Sequence, residues 1–186
     1  QGTRINVKIT GGSGRMVVGG GQAPANPTDI INALEIPHLG NTFDFGDLTV
    51  ARQVGADSAG SSSTRAIFAS GEAPGVLSDV IDYVTIATAA NASDFGDLTV
   101  GRAFCGGCSN GTRALFAGGS NPSLDDVIDY STIASTGDAT DFGNLSAARR
   151  FVSGMPSTTR GIFSGGGTPG VVNIMEYVTI GSTSNT

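Results

Sequence analysis

Asp44-Phe45-Gly46-Asp47-Leu48-Thr49-Val50 recurs unchanged as Asp94-Phe95-Gly96-Asp97-Leu98-Thr99-Val100. It returns with three substitutions as Asp141-Phe142-Gly143-Asn144-Leu145-Ser146-Ala147, so the copies are offset by 50 and then 47 residues. An arginine follows each copy, at Arg52, Arg102 and Arg149. Two further motifs keep the same beat. Thr64-Arg65-Ala66-Ile67-Phe68 is repeated as Thr112-Arg113-Ala114-Leu115-Phe116 and Thr159-Arg160-Gly161-Ile162-Phe163, with a diverged copy at Gly14-Arg15-Met16-Val17-Val18. Val80-Ile81-Asp82-Tyr83-Val84-Thr85-Ile86 is repeated at Val127 to Ile133 and Ile174 to Ile180, with a diverged copy at Ile30 to Ile36. Motifs in fixed order at a fixed period are the signature of a tandem repeat. The expected boundaries are about 1–51, 52–101, 102–148 and 149–186, the last incomplete, within a single repeat domain spanning 1–186.

The unit reads as β. Its motifs are rich in β-branched and aromatic residues and are flanked by Gly, Asn, Pro and Ser, and no segment sustains a helical period. Ile67 and Phe68 point to opposite faces of a strand, since successive side chains alternate. Both are large and apolar, so each sheet needs cover on both faces. Radial stacking of like sheets meets that demand better than a two-layer sandwich does. Four strands per unit are expected, near 52–60, 64–70, 80–87 and 95–100 in the second repeat. The chain is expected to open at the first strand of a unit and to leave its last blade without an outer strand, an open edge that invites pairing. Phe45, Phe95 and Phe142 are expected to plug the gaps between units.

The order Arg102, Leu115-Phe116-Ala117-Gly118-Gly119, Tyr130, Phe142, Arg149 resembles the kelch repeat. The resemblance covers essentially the whole chain. It departs where the late aromatic is Phe and never Trp, and where Gly-Gly becomes Ser70-Gly71. The wording of the repeats is similar to that of kelch-like proteins encoded by marine tailed bacteriophages, regarded as virion or tail-fibre components. The resemblance implies a β-propeller of four-stranded blades, here from four repeats of about 47–50 residues. It also implies a structural or adhesive role, in a virion or extracellular setting.

Composition bounds the function. Charged residues are only 14% and Gly reaches 29 of 186, which suits short strands joined by tight turns. The net charge of −6 repels phosphate backbones and anionic membrane surfaces, which argues against nucleic acid. No apolar run approaches the ~20 residues of a membrane-spanning helix, so no membrane insertion is expected. The chain opens Gln1-Gly2-Thr3 without a signal peptide, and we read it as a piece of a longer protein or a homo-oligomer subunit.

Candidate chemistry is sparse. Asp-Phe-Gly occurs three times without the phosphate loop or catalytic loop of a kinase. Asp44/Asp47 and Asp94/Asp97 could offer oxygens to Ca²⁺, but two carboxylates fall short of the six to eight oxygens that ion takes. The preferred reading has Asp44, Asp94 and Asp141 accept turn N–H groups, with no cofactor or metal. Cys105 and Cys108 lack both a redox-helix context and four zinc ligands, and read as buried structural thiols. His38 reads as a solvated loop residue. Arg65, Arg113 and Arg160 are expected to pair across the ladder with Asp82, Asp129 and Glu176. No catalytic residue emerges, and an enzyme is not expected. Binding residues are expected in the repeat-breaking, Pro-containing turns at 22–28, 72–78, 121–124 and 168–170, clustered on one rim. They include Gln22, Asn26, Glu72, Ser78, Asn121, Ser123 and Thr168. The expected partner is a host-surface glycan or protein, or another virion subunit. The alternative is an assembly element that builds a fibre or ring through open strand edges.

Overall fold

The computed structural model describes residues 14–22, 26–38, 40–54 and 58–186. The expected opening strand of the first repeat lies outside these. The described chain is all-β, in small antiparallel sheets, none closed on itself. Repeats two and three each form a four-stranded sheet whose strands lie in sequence order. Repeat two uses Ala59–Ser61, Arg65–Ala69, Val80–Thr85 and Ser93–Asp97. Repeat three uses Gly106–Ser109, Arg113–Asn121, Ser123–Thr132 and Thr140–Asn144. Repeat one contributes Arg15–Gln22, Pro27–Glu35 and Phe43–Asp47. Repeat four contributes Ser153–Pro156, Arg160–Ser164 and Met175–Thr179.

The strand alternation expected of a sheet covered on both faces is present. Ala66 and Phe68 pack with Val17, Ile31, Phe45 and Leu48 of repeat one. Ile67 and Ala69, from the same strand, pack with Ala114, Phe116 and Ile133 of repeat three. Leu115 and Ala117 then turn to Phe163, Val178 and Ile180 of repeat four. Each core therefore sits between consecutive repeats, and Phe45, Phe95 and Phe142 are buried one to each core. Tyr83 and Tyr130 meet Phe95 and Phe142 edge-on, with ring centroids 5.9 and 6.0 Å apart.

Asp-Phe-Gly marks a close approach between repeats. Gly96 has φ +140°, and a Cβ there would lie 2.5 Å from the backbone of Gly137 in the next repeat. The loop of that repeat clasps the strand, with Gly137 N–H donating to the Phe95 carbonyl at 2.6 Å and Ala139 N–H to that of Asp97 at 2.7 Å. Asp94 and Asp141 accept the N–H of Gly96 and Gly143 at 3.0 Å.

The expected ladder pairing of Arg65 with Asp82 does not form. Arg65 lies opposite Thr85, and Asp82 lies opposite Phe68. The carboxylates instead take the arginine that closes the preceding Asp-Phe-Gly motif: Arg52 with Asp82, Arg102 with Asp129 and Arg149 with Glu176. Those three arginines are fully buried. Arg102 shows why burial is tolerated. Its Nη1 reaches Asp129 at 2.9 Å, Nε donates to the Gly118 carbonyl at 3.0 Å, and Nη2 donates to that of Phe116 at 3.2 Å. Gly118, at φ +65°, adopts the left-handed conformation that glycine takes without strain and presents its carbonyl to the guanidinium. Thr99 Oγ1 donates to the far oxygen of Asp129 at 2.7 Å. One constellation thus uses the Thr and Arg of the Asp-Phe-Gly stretch, the Gly-Gly and the Asp of the third motif.

The first strand is shorter than expected, because 52–54 carries the buried arginine and a bridge between Gln53 and Glu72. The outer strand ends at Asp97, where the chain turns to place Thr99 on Asp129.

Candidate binding rim

The second and third strands of each repeat meet at a hairpin. In repeat two Glu72 pairs with Leu77 and Ala73 with Val76. In repeat three Asn121 pairs with Ser123 around Pro122, and in repeat four Thr168 pairs with Gly170 around Pro169. In repeat one Gln22 pairs with Pro27, and residues 23–25 lie outside the described ones. The hairpin bases of repeats one to three are tied to the start of the next repeat, by Gly21 N–H to the Arg52 carbonyl, Gly71 N–H to that of Arg102 and Gly119 N–H to that of Arg149.

Consecutive hairpins form grooves. Gln22 and Asn26 face Gln53, Glu72 and Pro74 across a polar groove between repeats one and two. Pro122, Ser123 and Leu124 face Arg150, Phe151, Pro169 and Val171 across a larger groove between repeats three and four. Ser123 thus lines this second groove, with Asn121 and Thr168 in its hairpins, whereas Ser78 is buried and its Oγ accepts a hydrogen bond from Val80 N–H at 3.2 Å.

The second groove contains residues that sequence reasoning passed over. Phe104 and Phe151 occupy equivalent positions just before the first strands of repeats three and four, at φ +63° and +58°. Bulky residues rarely adopt that conformation, and such strain concentrates at functional positions. The rings stack at 4.8 Å with a 45° tilt, and Phe151 N–H donates to the Phe104 carbonyl at 2.9 Å. Arg150 lies over both rings, 5.1 Å from the centroid of Phe151 and 6.0 Å from that of Phe104. Phe151 is 59% exposed and Val171 96% exposed. The available signal was the aromatic in place of Val54, a change masked by the apolar character all three copies share.

Cys105 and Cys108 are buried free thiols. Burial pushes the Cys105 thiol up, against the opposing pull of Arg102 and Ser70. Burial works against the charge of Arg102, but Cys105, Asp129 and Asp125 prevail and hold its pKa above the ordinary value. His38 is exposed beyond the third motif of repeat one. Among the described residues no group of three or more His, Cys, Asp or Glu is placed to hold a metal ion. No described helix is long and apolar enough to cross a membrane. No known protein-family model matches the sequence, and no curated protein matches it either.

Proposed function

We propose that this chain is a non-enzymatic binding module: a kelch-like β-propeller scaffold of a virion or tail fibre, presenting its rim hairpins to a glycan or protein on a host surface. Stacking of repeat sheets through shared cores supports the propeller reading, with the repeats as blades. The observation that carries the binding reading is the exposed Phe151, fixed on strained backbone beside Arg150 in a groove between two hairpins. An aromatic face receives the apolar face of a sugar ring, and a guanidinium receives its carboxylate or sulfate in forked geometry. An anionic glycan is therefore the ligand class we favour. The buried carboxylates Asp82 and Asp129 are engaged by Arg and Thr, which supports a scaffold role for them over acid–base chemistry. This reading needs no cofactor.

A panel of bacterial envelope glycans, anionic and neutral, tests it. Saturable binding to anionic members, lost when 121–124 and 168–170 are exchanged for neutral Gly-Ser turns in a protein that still folds, supports the reading. Equal binding by the exchanged protein, or none by either, refutes it. The second reading, assembly through strand edges, is favoured by Met175–Thr179, an edge strand of repeat four among the described residues.

A further inference from the structure

The contacts between repeats follow one rule, and the two ends of the stack carry its unmatched halves. Arg15 donates through Nη1 to the Ile86 carbonyl of the next repeat at 2.7 Å. Arg65 donates to that of Ile133 at 3.1 Å, and Arg113 to that of Ile180 at 3.1 Å. Arg65 and Arg113 are held for this by stacking on Tyr83 and Tyr130, 4.7 and 4.5 Å from the ring centroids. The receiving isoleucines Ile86, Ile133 and Ile180 are all fully buried.

Arg160 is stacked in the same way, 4.4 Å from the centroid of Tyr177, but among the described residues its guanidinium has no hydrogen-bond or ion-pair partner. Around it Tyr177 is 53% exposed and Met175 is 70% exposed, whereas Ile81 and Ile128, the equivalents of Met175, are fully buried. At the other end Ile36 is the counterpart of the receiving isoleucines and is 49% exposed. Beside it Met16 and Leu34, both half-buried, and Val18, which is buried at 6% exposure, occupy the positions through which later repeats pack on the one before. Among the described residues repeat four thus ends on an unused donor, Arg160, and repeat one on an exposed receiving position, Ile36, of the same register.

We infer that these two faces dock on each other between two copies of this chain, head to tail, with Arg160 of one copy donating to the Ile36 carbonyl of the other. The occupant is a second copy because the Arg160 donor and the Ile36 receiving position are both unused among the described residues, while each matches the contact the chain already builds three times. Such a contact is heterologous: it closes into a ring or runs on as a filament, according to the rotation per copy. It uses sheet faces, independently of the rim and of strand edges.

The test is sedimentation velocity across a range of protein concentrations on the wild-type chain, Ile36→Asp, Tyr177→Asp and an equimolar mixture of the two variants. Both substituted positions are exposed, Ile36 at 49% and Tyr177 at 53%, and far-UV circular dichroism checks that the variants fold. Wild type is expected to associate with concentration, and each variant alone to stay monomeric. The mixture should form a dimer that grows no further, because each variant retains the face the other lacks. Arg160→Gln should weaken wild-type association by at least about tenfold, the scale of a lost charge-assisted hydrogen bond, while Ser63→Asp, in an exposed turn of repeat two, leaves it unchanged. A wild type that is monomeric throughout, or variants that do not complement each other, would overturn the inference. Glycan binding by the monomeric variants is read separately, so failure here leaves the rim reading intact.

Discussion

Replacing Arg102 with Met removes the charge from a fully enclosed ion pair and keeps most of the side-chain volume. Both partners are fully buried, and the guanidinium satisfies Asp129 and the carbonyls of Gly118 and Phe116. Thr99 still serves Asp129 after the change, but the carboxylate is left as an uncompensated buried charge. Breaking such a pair from one side costs about 3–5 kcal/mol. That is a large share of the ~5–15 kcal/mol that holds a typical domain folded. Arg102→Met combined with Asp129→Leu removes both charges, and should recover more than half of the loss, because the desolvation cost disappears with the interaction. The assay is urea unfolding followed by circular dichroism and by tyrosine fluorescence, with coincident transitions as the condition for extracting a free energy. A single-variant loss below about 1 kcal/mol, the range of exposed pairs, would refute the reasoning. So would a double variant less stable than the single one.

Ser131 Oγ is buried with no hydrogen-bond partner among the described residues, where the neighbouring repeats carry Val84 and Val178. Ser131→Val should stabilise by about 1 kcal/mol, read as a higher urea midpoint with unchanged slope. Gly96→Ala places a methyl group against the Gly137 backbone at φ +140° and should cost at least about 2 kcal/mol, whereas Gly75→Ala, with open space around it, should cost less. Burial works to raise the Glu176 pKa, but hydrogen bonds from Ser146, Thr186 and Arg149 prevail and hold it below its ordinary 4.5. Its ionised form therefore stabilises the fold above the unfolded pKa, and that contribution is lost as pH falls through the lowered folded value. Glu176→Gln should be less stable at neutral pH and lose less on acidification below about pH 5, measured by thermal melts across that window. Asp97 has the opposite sign: burial, Asp79, Asp138 and Asp94 raise its pKa. Asp97→Asn should gain stability at neutral pH, an advantage that fades as pH falls through the raised value. Asn144 shows the accommodation, donating to Asp126 at 2.9 Å in the third repeat.

The period, the strand character and the two-sided burial of Ile67 and Phe68 were legible because each depends on alternation within a few residues. The identity of the ion pairs was not. Arg65 and Asp82 look like ladder partners because both sit on adjacent strands, but register decides, and it sets Arg65 against Thr85. The true partner, Arg52, is 30 residues from Asp82 and becomes visible only when Ser70 presents its carbonyl to Nε at 3.0 Å. The Pro-containing turns were legible as connections, and the hairpins between the second and third strands fall on them. Arg150 and Phe151 were missed for a physical reason: a strained φ and an exposed ring leave no trace in composition or periodicity. Ser78, included among the expected rim residues, is buried because the hairpin of repeat two closes before it, at Leu77.

The central claim is that the rim binds a host-surface ligand, and the most direct measurement is saturation binding of the labelled protein to intact marine bacterial cells at graded salt. Wild type, Arg150→Ala and Phe151→Ala would be compared side by side. The account predicts saturable binding by wild type that weakens with salt. Arg150→Ala should bind more weakly and lose most of that salt dependence, and Phe151→Ala should bind more weakly with the salt dependence retained. Binding that is unchanged in both variants, or no binding by folded wild-type protein to any strain tested, would contradict it.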